Sequence, residues 1–287
     1  MKKKILNYTL VIVAGIVAYV MYFVFKGDLI VPQGFHLGPF HVRYFGIILA
    51  LAVLAAYALA VKRASLYQIN KDEAEDFIFW VIVGGFIGAR AYHVLSSLTY
   101  YLQHPIDILM VWHGGLSVIG SLIGGLVVIC LKSKKIRQNF LVLLDWLAPS
   151  MVLGQIIGRF ADLFNYELFG YPTSLAWKMF VPVDFRPAAH IGANFFHPLF
   201  LYEAMGNAII LFLLLWKTKK QPNQKGKIFF TYLILYGALR FFLEFLRIDA
   251  VFIGGLRLNA IVSLGFVLVG AAGFYATKKR INLASFV

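Results

Sequence analysis

Thirteen residues, "GRFADLFNYELFG" at positions 158–170, gather Arg159, Asp162, Asn165 and Glu167 at the end of an apolar run. A second stretch, "YGALRFFLEFLR" at 236–247, carries Arg240, Glu244 and Arg247. With Arg240 at zero, the other two stand roughly 40° and −20° around a helix, one polar stripe on one face. Phe241, Phe242, Leu243, Phe245 and Leu246 cover the remainder. Glu244 is expected to pair with either arginine, leaving one positive charge in surplus. Guanidinium groups grip phosphate oxygens in bidentate fashion, so two arginines around one glutamate suit an anionic ligand. Arg159 and Asp162, three apart, share a helix face, and that helix is expected to end near Asn165, ahead of the breakers Gly170 and Pro172. "FFHPLFLYEAMGN" adds His197, Tyr202 and Glu203 at a similar level, and "GARAYHVL" adds Arg90, Tyr92 and His93.

What these charges cost depends on their surroundings. The chain has 287 residues, 61% of them hydrophobic and 14% charged, against about a quarter charged in a soluble domain. It reads as an all-α polytopic membrane helix bundle. Eight apolar segments are each close to the roughly 20 residues that cross a bilayer: 5–25, 41–61, 77–97, 115–131, 141–164, 197–216, 228–247 and 258–277. The net charge of +14 does not point to nucleic acid, because 18 of the 27 Lys and Arg lie in five short clusters between these segments. The clusters are Lys2–Lys4, Lys62–Lys71, Lys132–Arg137, Lys217–Lys227 and Lys278–Arg280. Placing all five in the cytoplasm makes every span alternate correctly and leaves both termini inside. The first span also resembles a signal peptide, but its apolar stretch is too long and no small-residue cleavage site follows, so an uncleaved anchor over 1–29 is expected. The external segments are then 26–40, 98–114, 165–196 and 248–257. The third, rich in proline and aromatics, reads as a small, partly stranded cap.

Arg43, Arg90, Arg159, Arg240 and Arg247 lie within spans or at their outer ends, where each needs a partner, water or a function. Three readings fit them: an anionic lipid headgroup site, ion or solute transport, and structural pairing. Transport is the poorer fit, since no repeat relates the halves and the polar groups gather at one face rather than at the midplane. His93, His113 and His197 lack metal-ligand spacing with Asp or Glu. The glycines of "GGFIGAR" and "GSLIGG", four residues apart, read as helix-packing contacts and not as a phosphate loop. The single cysteine, Cys130, is expected to be buried and inert.

"GRFADLFNYELFG" resembles the signature of the prolipoprotein diacylglyceryl transferases. The similarity continues through "GPFHVRYFGIILA", "GARAYHVL", "VWHGGLSVIGSLIGG", "HPLFLYE" and "YGALRFFLEFLR", from about residue 30 to the C-terminus. It implies seven core helices over 30–287, with the first span an addition. The implied reaction moves the diacylglyceryl group of phosphatidylglycerol onto the lipobox cysteine thiol of a preprolipoprotein, forming a thioether and releasing glycerol phosphate. The nucleophile belongs to the substrate, so neither cofactor nor metal is implied. The implied setting is the bacterial inner membrane, with the site near the outer leaflet.

By the same resemblance, Arg159 falls on the arginine credited with headgroup binding, and Arg240 on a second essential arginine. Glu244 and Arg247 match their acidic and basic neighbours, and Asn165, Glu167 and Gly170 complete the signature. Asp162, Arg90, Tyr44, His197 and Glu203 are further expected substrate-binding positions. Three positions depart from the pattern. Ala161 and Asp162 replace Gly-Asn, Ile119 replaces a histidine proposed as the base, and Phe45 replaces a tyrosine, with Tyr44 adjacent. An active transferase that deprotonates the thiol through Asp162, Glu244 or His113 is expected. The alternative is a catalytically altered paralogue that binds anionic phospholipid or uses another acceptor.

Overall fold

A computed structural model describes residues 15–38, 40–220 and 225–284, without the side chains of His113, Lys220 and residues 278–284. Each of the eight apolar segments forms a helix. The first is α1 (Gly15–Lys26), whose expected beginning at residue 5 lies outside the described residues. It is followed by α2 (Tyr44–Arg63), α3 (Lys71–Ser96) and a short α4 (Leu98–Gln103). Then come α5 (Val118–Ser133), α6 (Phe140–Asn165), α7 (Leu199–Lys220), α8 (Lys227–Glu244) and α9 (Leu258–Ala284). Helices α2, α3, α6, α7 and α9 are long and apolar enough to cross a bilayer, while α1 and α5 are shorter apolar helices. Helix α8 spends three of its 18 residues on Lys227, Arg240 and Glu244. Leu54, Ile87, Val127, Phe212, Phe242 and Leu268 face outward. Such apolar exteriors suit lipid, not water. The protein is an all-α, multi-pass membrane protein.

The chain forms two compact units. One comprises Met1–Val53, Val152–Leu211 and Leu233–Val269; the other comprises Leu54–Met151, Phe212–Tyr232 and Gly270–Val287. In the second, the glycine spacing acts as expected. A Cβ on Gly88 would meet the Gly120 carbonyl oxygen at 2.4 Å, and one on Gly124 would meet that of Gly84 at 2.2 Å, so α3 and α5 pack backbone to backbone. Cys130 is exposed, contrary to expectation. Six residues beyond Gly124, it points about 120° away from the glycine seam. The core of this unit centres on Phe77, Leu143 and Trp146, the indole donating to the Ala60 carbonyl at 2.8 Å. Asp145 accepts from the Gly226 and Phe229 backbone amides at 2.7 and 2.8 Å, which caps the start of α8.

In the first unit, three loop segments each carry a two-stranded antiparallel pair. These are β1 (Gly34–Leu37) with β2 (Phe40–Arg43), β3 (Met179–Phe180) with β4 (Phe195–Phe196), and β5 (Phe252–Ile253) with β6 (Leu256–Arg257). The β3–β4 pair fulfils the stranded reading of 165–196. A core of Val24, Leu163, Met179, Val181, Phe196 and Phe200 ties the β3–β4 loop to the ends of α1, α6 and α7.

Candidate active site

Helix α6 ends where the sequence signals a stop, and its termination sets the site. The Tyr166 amide donates to the Leu163 carbonyl at 3.2 Å, and the Glu167 amide to the Asp162 carbonyl at 2.9 Å. These bonds form a Schellman-type cap with Tyr166 at φ 52°, in the left-handed region usually given to glycine. The Tyr166 hydroxyl is anchored in turn, accepting from the Val31 amide at 2.8 Å and donating to the Val31 carbonyl at 3.2 Å. A strained, over-determined turn thus fixes the last turns of α6, which carry Arg159, Asp162 and Asn165.

Arg159 reaches two carboxylates. Its Nη1 donates to Asp162 at 3.0 Å, and its Nε stands 3.0 Å from Glu203 Oε1, an ion pair without aligned hydrogen-bond geometry. Glu203, on α7, also accepts from Arg240 Nη1 at 2.6 Å through Oε2, and from the Tyr236 hydroxyl at 3.4 Å through Oε1. The helices can approach because Gly206, one turn from Glu203, leaves room for Leu239: a Cβ there would meet Leu239 Cδ1 at 2.5 Å. The Glu203 side chain is 1% exposed, whereas those of Arg159 and Arg240 are 27% and 17% exposed. The carboxylate is sealed behind the guanidiniums, whose outer edges stay open. Arg240 spends only Nη1 on a described residue, so further donors remain for a ligand.

Two arginines around one glutamate is therefore the observed motif, but the glutamate is Glu203 and not Glu244. The expected stripe breaks because α8 stops at Glu244. Arg247, beyond the helix, turns to Asp249 with Nε at 2.9 Å and Nη2 at 2.5 Å, and only its Nη1 approaches Glu244, at 3.8 Å. Glu244 is buried, accepts from Asn259 Nδ2 at 3.3 Å through Oε1, and keeps Oε2 without a hydrogen bond. Arg257 covers the helix end, donating through Nη1 to the Glu244 carbonyl at 2.7 Å. The expected surplus of positive charge is offset here: Arg159, Arg240, Arg247 and Arg257 face Asp162, Glu203, Glu244 and Asp249.

Gly170 closes the signature for a steric reason. Its amide donates to the His197 carbonyl at 2.9 Å, and a Cβ would stand 2.5 Å from the Leu246 carbonyl oxygen. Here the chain passes between the approach to α7 and the exit from α8. His197 Nδ1 lies 3.1 Å from the Tyr202 hydroxyl, which accepts from Trp177 Nε1 at 2.7 Å. The phenol proton is free to be given to Nδ1 of a neutral imidazole. Burial pushes the His197 pKa below its ordinary value, favouring that neutral form.

Asn165 donates to Glu167 at 3.3 Å, and Tyr44 lies with its ring 5.3 Å from that of Phe164. Arg90, in the other unit, is buried and gives its donors to loop carbonyls: Nε to Ile108 at 2.9 Å, Nη1 to Gly114 and Gly115, and Nη2 to Asp107. Ile119 is exposed on α5, and the His113 side chain lies outside the described residues. Sequence reading missed Asn207, one turn beyond Glu203 on α7. It is fully buried, and neither side-chain atom has a hydrogen-bond partner. An amide one turn from a conspicuous glutamate was the available signal.

Residues 32–276 match the family model described as prolipoprotein diacylglyceryl transferase. Among curated proteins, the phosphatidylglycerol–prolipoprotein diacylglyceryl transferase of Fervidobacterium nodosum is 38% identical, covering 98% of this chain and 99% of its own. The protein of the same name from Thermotoga maritima is 36% identical over 95% of each chain. That of Acaryochloris marina is 36% identical over 87% of this chain and 93% of its own.

Proposed function

Because the chain belongs to the prolipoprotein diacylglyceryl transferase family, we propose that its Arg159–Glu203–Arg240 cluster binds the phosphate of phosphatidylglycerol while the diacylglyceryl group passes to a lipobox cysteine. The observation that carries this reading is the shared, buried carboxylate, which sets two partly open guanidiniums side by side. The cysteine sulfur attacks the glycerol carbon, a carbon–sulfur bond forms, and the carbon–oxygen bond to phosphate breaks. The electron pair leaves on glycerol phosphate. Donors that tighten as that charge develops lower the barrier. The thiol must lose its proton, since thiolate is the nucleophile. Glu244 Oε2, buried without a hydrogen bond, is the acceptor we assign. Arg247 orients that carboxylate while held by Asp249.

In this reading Asp162, Asn165, Glu167 and Gly170 shape the rim of the headgroup site. Tyr44 supports α6 through Phe164, and His197 and Glu203 belong to the approach from α7. Arg90 braces the 107–115 loop instead of touching lipid. Both termini are cytoplasmic and the site faces the outer leaflet, which the basic clusters support. We assign residues 1–29 as an N-terminal anchor and 30–287 as the transferase domain; the family match begins at residue 32, and the Fervidobacterium nodosum protein, aligned over 98% of this chain, has a counterpart for most of the anchor as well.

The test mixes purified protein, phosphatidylglycerol and a lipobox peptide, and follows peptide mass and glycerol phosphate together. The expected result is a mass gain matched by glycerol phosphate, both lost in Arg159→Ala. Lipid binding with neither product would favour the altered paralogue.

A further inference from the structure

The hairpin ahead of α2 carries a pair of imidazoles that the transfer reaction does not use. In the β1–β2 register His36 stands directly opposite His41, and both side chains are exposed. Opposed residues of an antiparallel pair share one face, with Cβ atoms about 4.5–5.5 Å apart. The two ring centroids are 4.7 Å apart, with planes tilted by 34°.

That separation is informative. An ion about 2.0–2.1 Å from a ring nitrogen stands about 3.2 Å from the ring centroid. With each ring turning one nitrogen to a shared ion, two centroids 4.7 Å apart would subtend roughly 95° at it. This angle lies between those of a tetragonal and a tetrahedral site, the geometries adopted by copper and zinc with imidazole ligands. The backbone is already set in place. The Tyr44 amide donates to the Gln33 carbonyl at 3.0 Å, closing the base of the hairpin, and the Phe35 ring lies 5.7 Å from that of Tyr44. Little ordering is left for an ion to impose.

We propose that His36 and His41 form a two-imidazole site for a divalent transition-metal cation of the zinc or copper class, with water completing the coordination. Among the described residues no group of three or more His, Cys, Asp and Glu converges on one point. The site is thus an open clamp across β1 and β2, not a closed structural centre. Arg43, two residues beyond His41 on the same face, is exposed. Its charge lowers affinity, is screened by salt, and occupies neither imidazole.

The test uses the full chain in detergent, without a polyhistidine tag and stripped with chelator, titrated calorimetrically with Zn2+ at pH 7.5. Wild type and His104→Ala should bind one equivalent alike. His36→Ala and His41→Ala should each lose about tenfold or more in affinity. Unchanged binding in both hairpin variants, or no saturable binding by wild type, overturns the proposal. Should the variants fail to fold, electron paramagnetic resonance of Cu2+-loaded wild type decides. Coupling to two imidazole nitrogens supports the clamp, and coupling to one refutes it.

Discussion

Arg159 and Arg240 are held side by side by one carboxylate: Glu203 places Oε1 3.0 Å from Arg159 Nε and Oε2 2.6 Å from Arg240 Nη1. Two guanidiniums this close repel one another unless a negative charge lies between them; in the proposed function, a phosphate arriving from the open side finds them preset. On that proposal, binding and catalysis draw on one arrangement, in which the protein supplies the order before the lipid arrives.

Glu203→Gln should therefore reduce stability as well as turnover. Removing one partner of a buried ion pair costs about 3–5 kcal/mol; the partly hydrated arginines bring the expectation to the lower end, about 3 kcal/mol. Thermal unfolding in detergent reads the first effect and the transfer assay the second. An unchanged melting curve would show that the arginines do not need the carboxylate.

Asp162→Asn separates two roles for that residue. Asp162 lies 3.0 Å from Arg159 and withdraws part of the charge meant for phosphate. The amide should lower the KM for phosphatidylglycerol a few-fold, in line with about 1 kcal/mol for a partly exposed pair, and leave kcat unchanged. Collapse of kcat would instead identify Asp162 as the proton acceptor.

Gly170→Ala should destabilise the junction of the three segments that meet there. Its new Cβ would stand 2.5 Å from the Leu246 carbonyl oxygen and 3.1 Å from His197 Cβ. Overpacking of this kind costs about 1–3 kcal/mol. A melting temperature equal to wild type would show that the junction can yield.

Stability should also depend on pH through His197. Its folded-state pKa lies below the ordinary value near 6.5, because burial favours the neutral ring. Between the two pKa values the unfolded chain binds more protons, so stability rises with pH and falls on acidification below the ordinary histidine value of about 6.5. His197→Gln should flatten that slope relative to wild type. Parallel melting curves across the range would remove the imidazole from the account.

Much of this architecture is legible in the sequence because it depends on local rules. The eight apolar segments become helices, the glycines at 84, 88, 120 and 124 bring α3 against α5, and α6 stops at Asn165. What escaped depends on where one helix stops and on chain positions far apart. Helical angles align Arg240, Glu244 and Arg247, but α8 ends at Glu244 and Arg247 joins Asp249 instead. The partner of Arg240 is Glu203, on a different helix, and no periodicity within either helix reports that meeting. Arg90 looked equally functional by charge and level, yet the structure commits it to the carbonyls of the 107–115 loop. An intramembrane arginine announces that it needs partners without saying which.

In the proposed reaction, paired guanidiniums stabilise the departing phosphate. Steady-state transfer by Arg159→Lys and Arg240→Lys tests it most directly, because lysine keeps the charge and loses the planar fork. With folding confirmed by thermal unfolding, kcat/KM should fall about 10²–10³-fold in each, the usual cost of losing one transition-state donor. Full activity in both lysine variants would show that the planar guanidinium pair is not what stabilises the leaving phosphate.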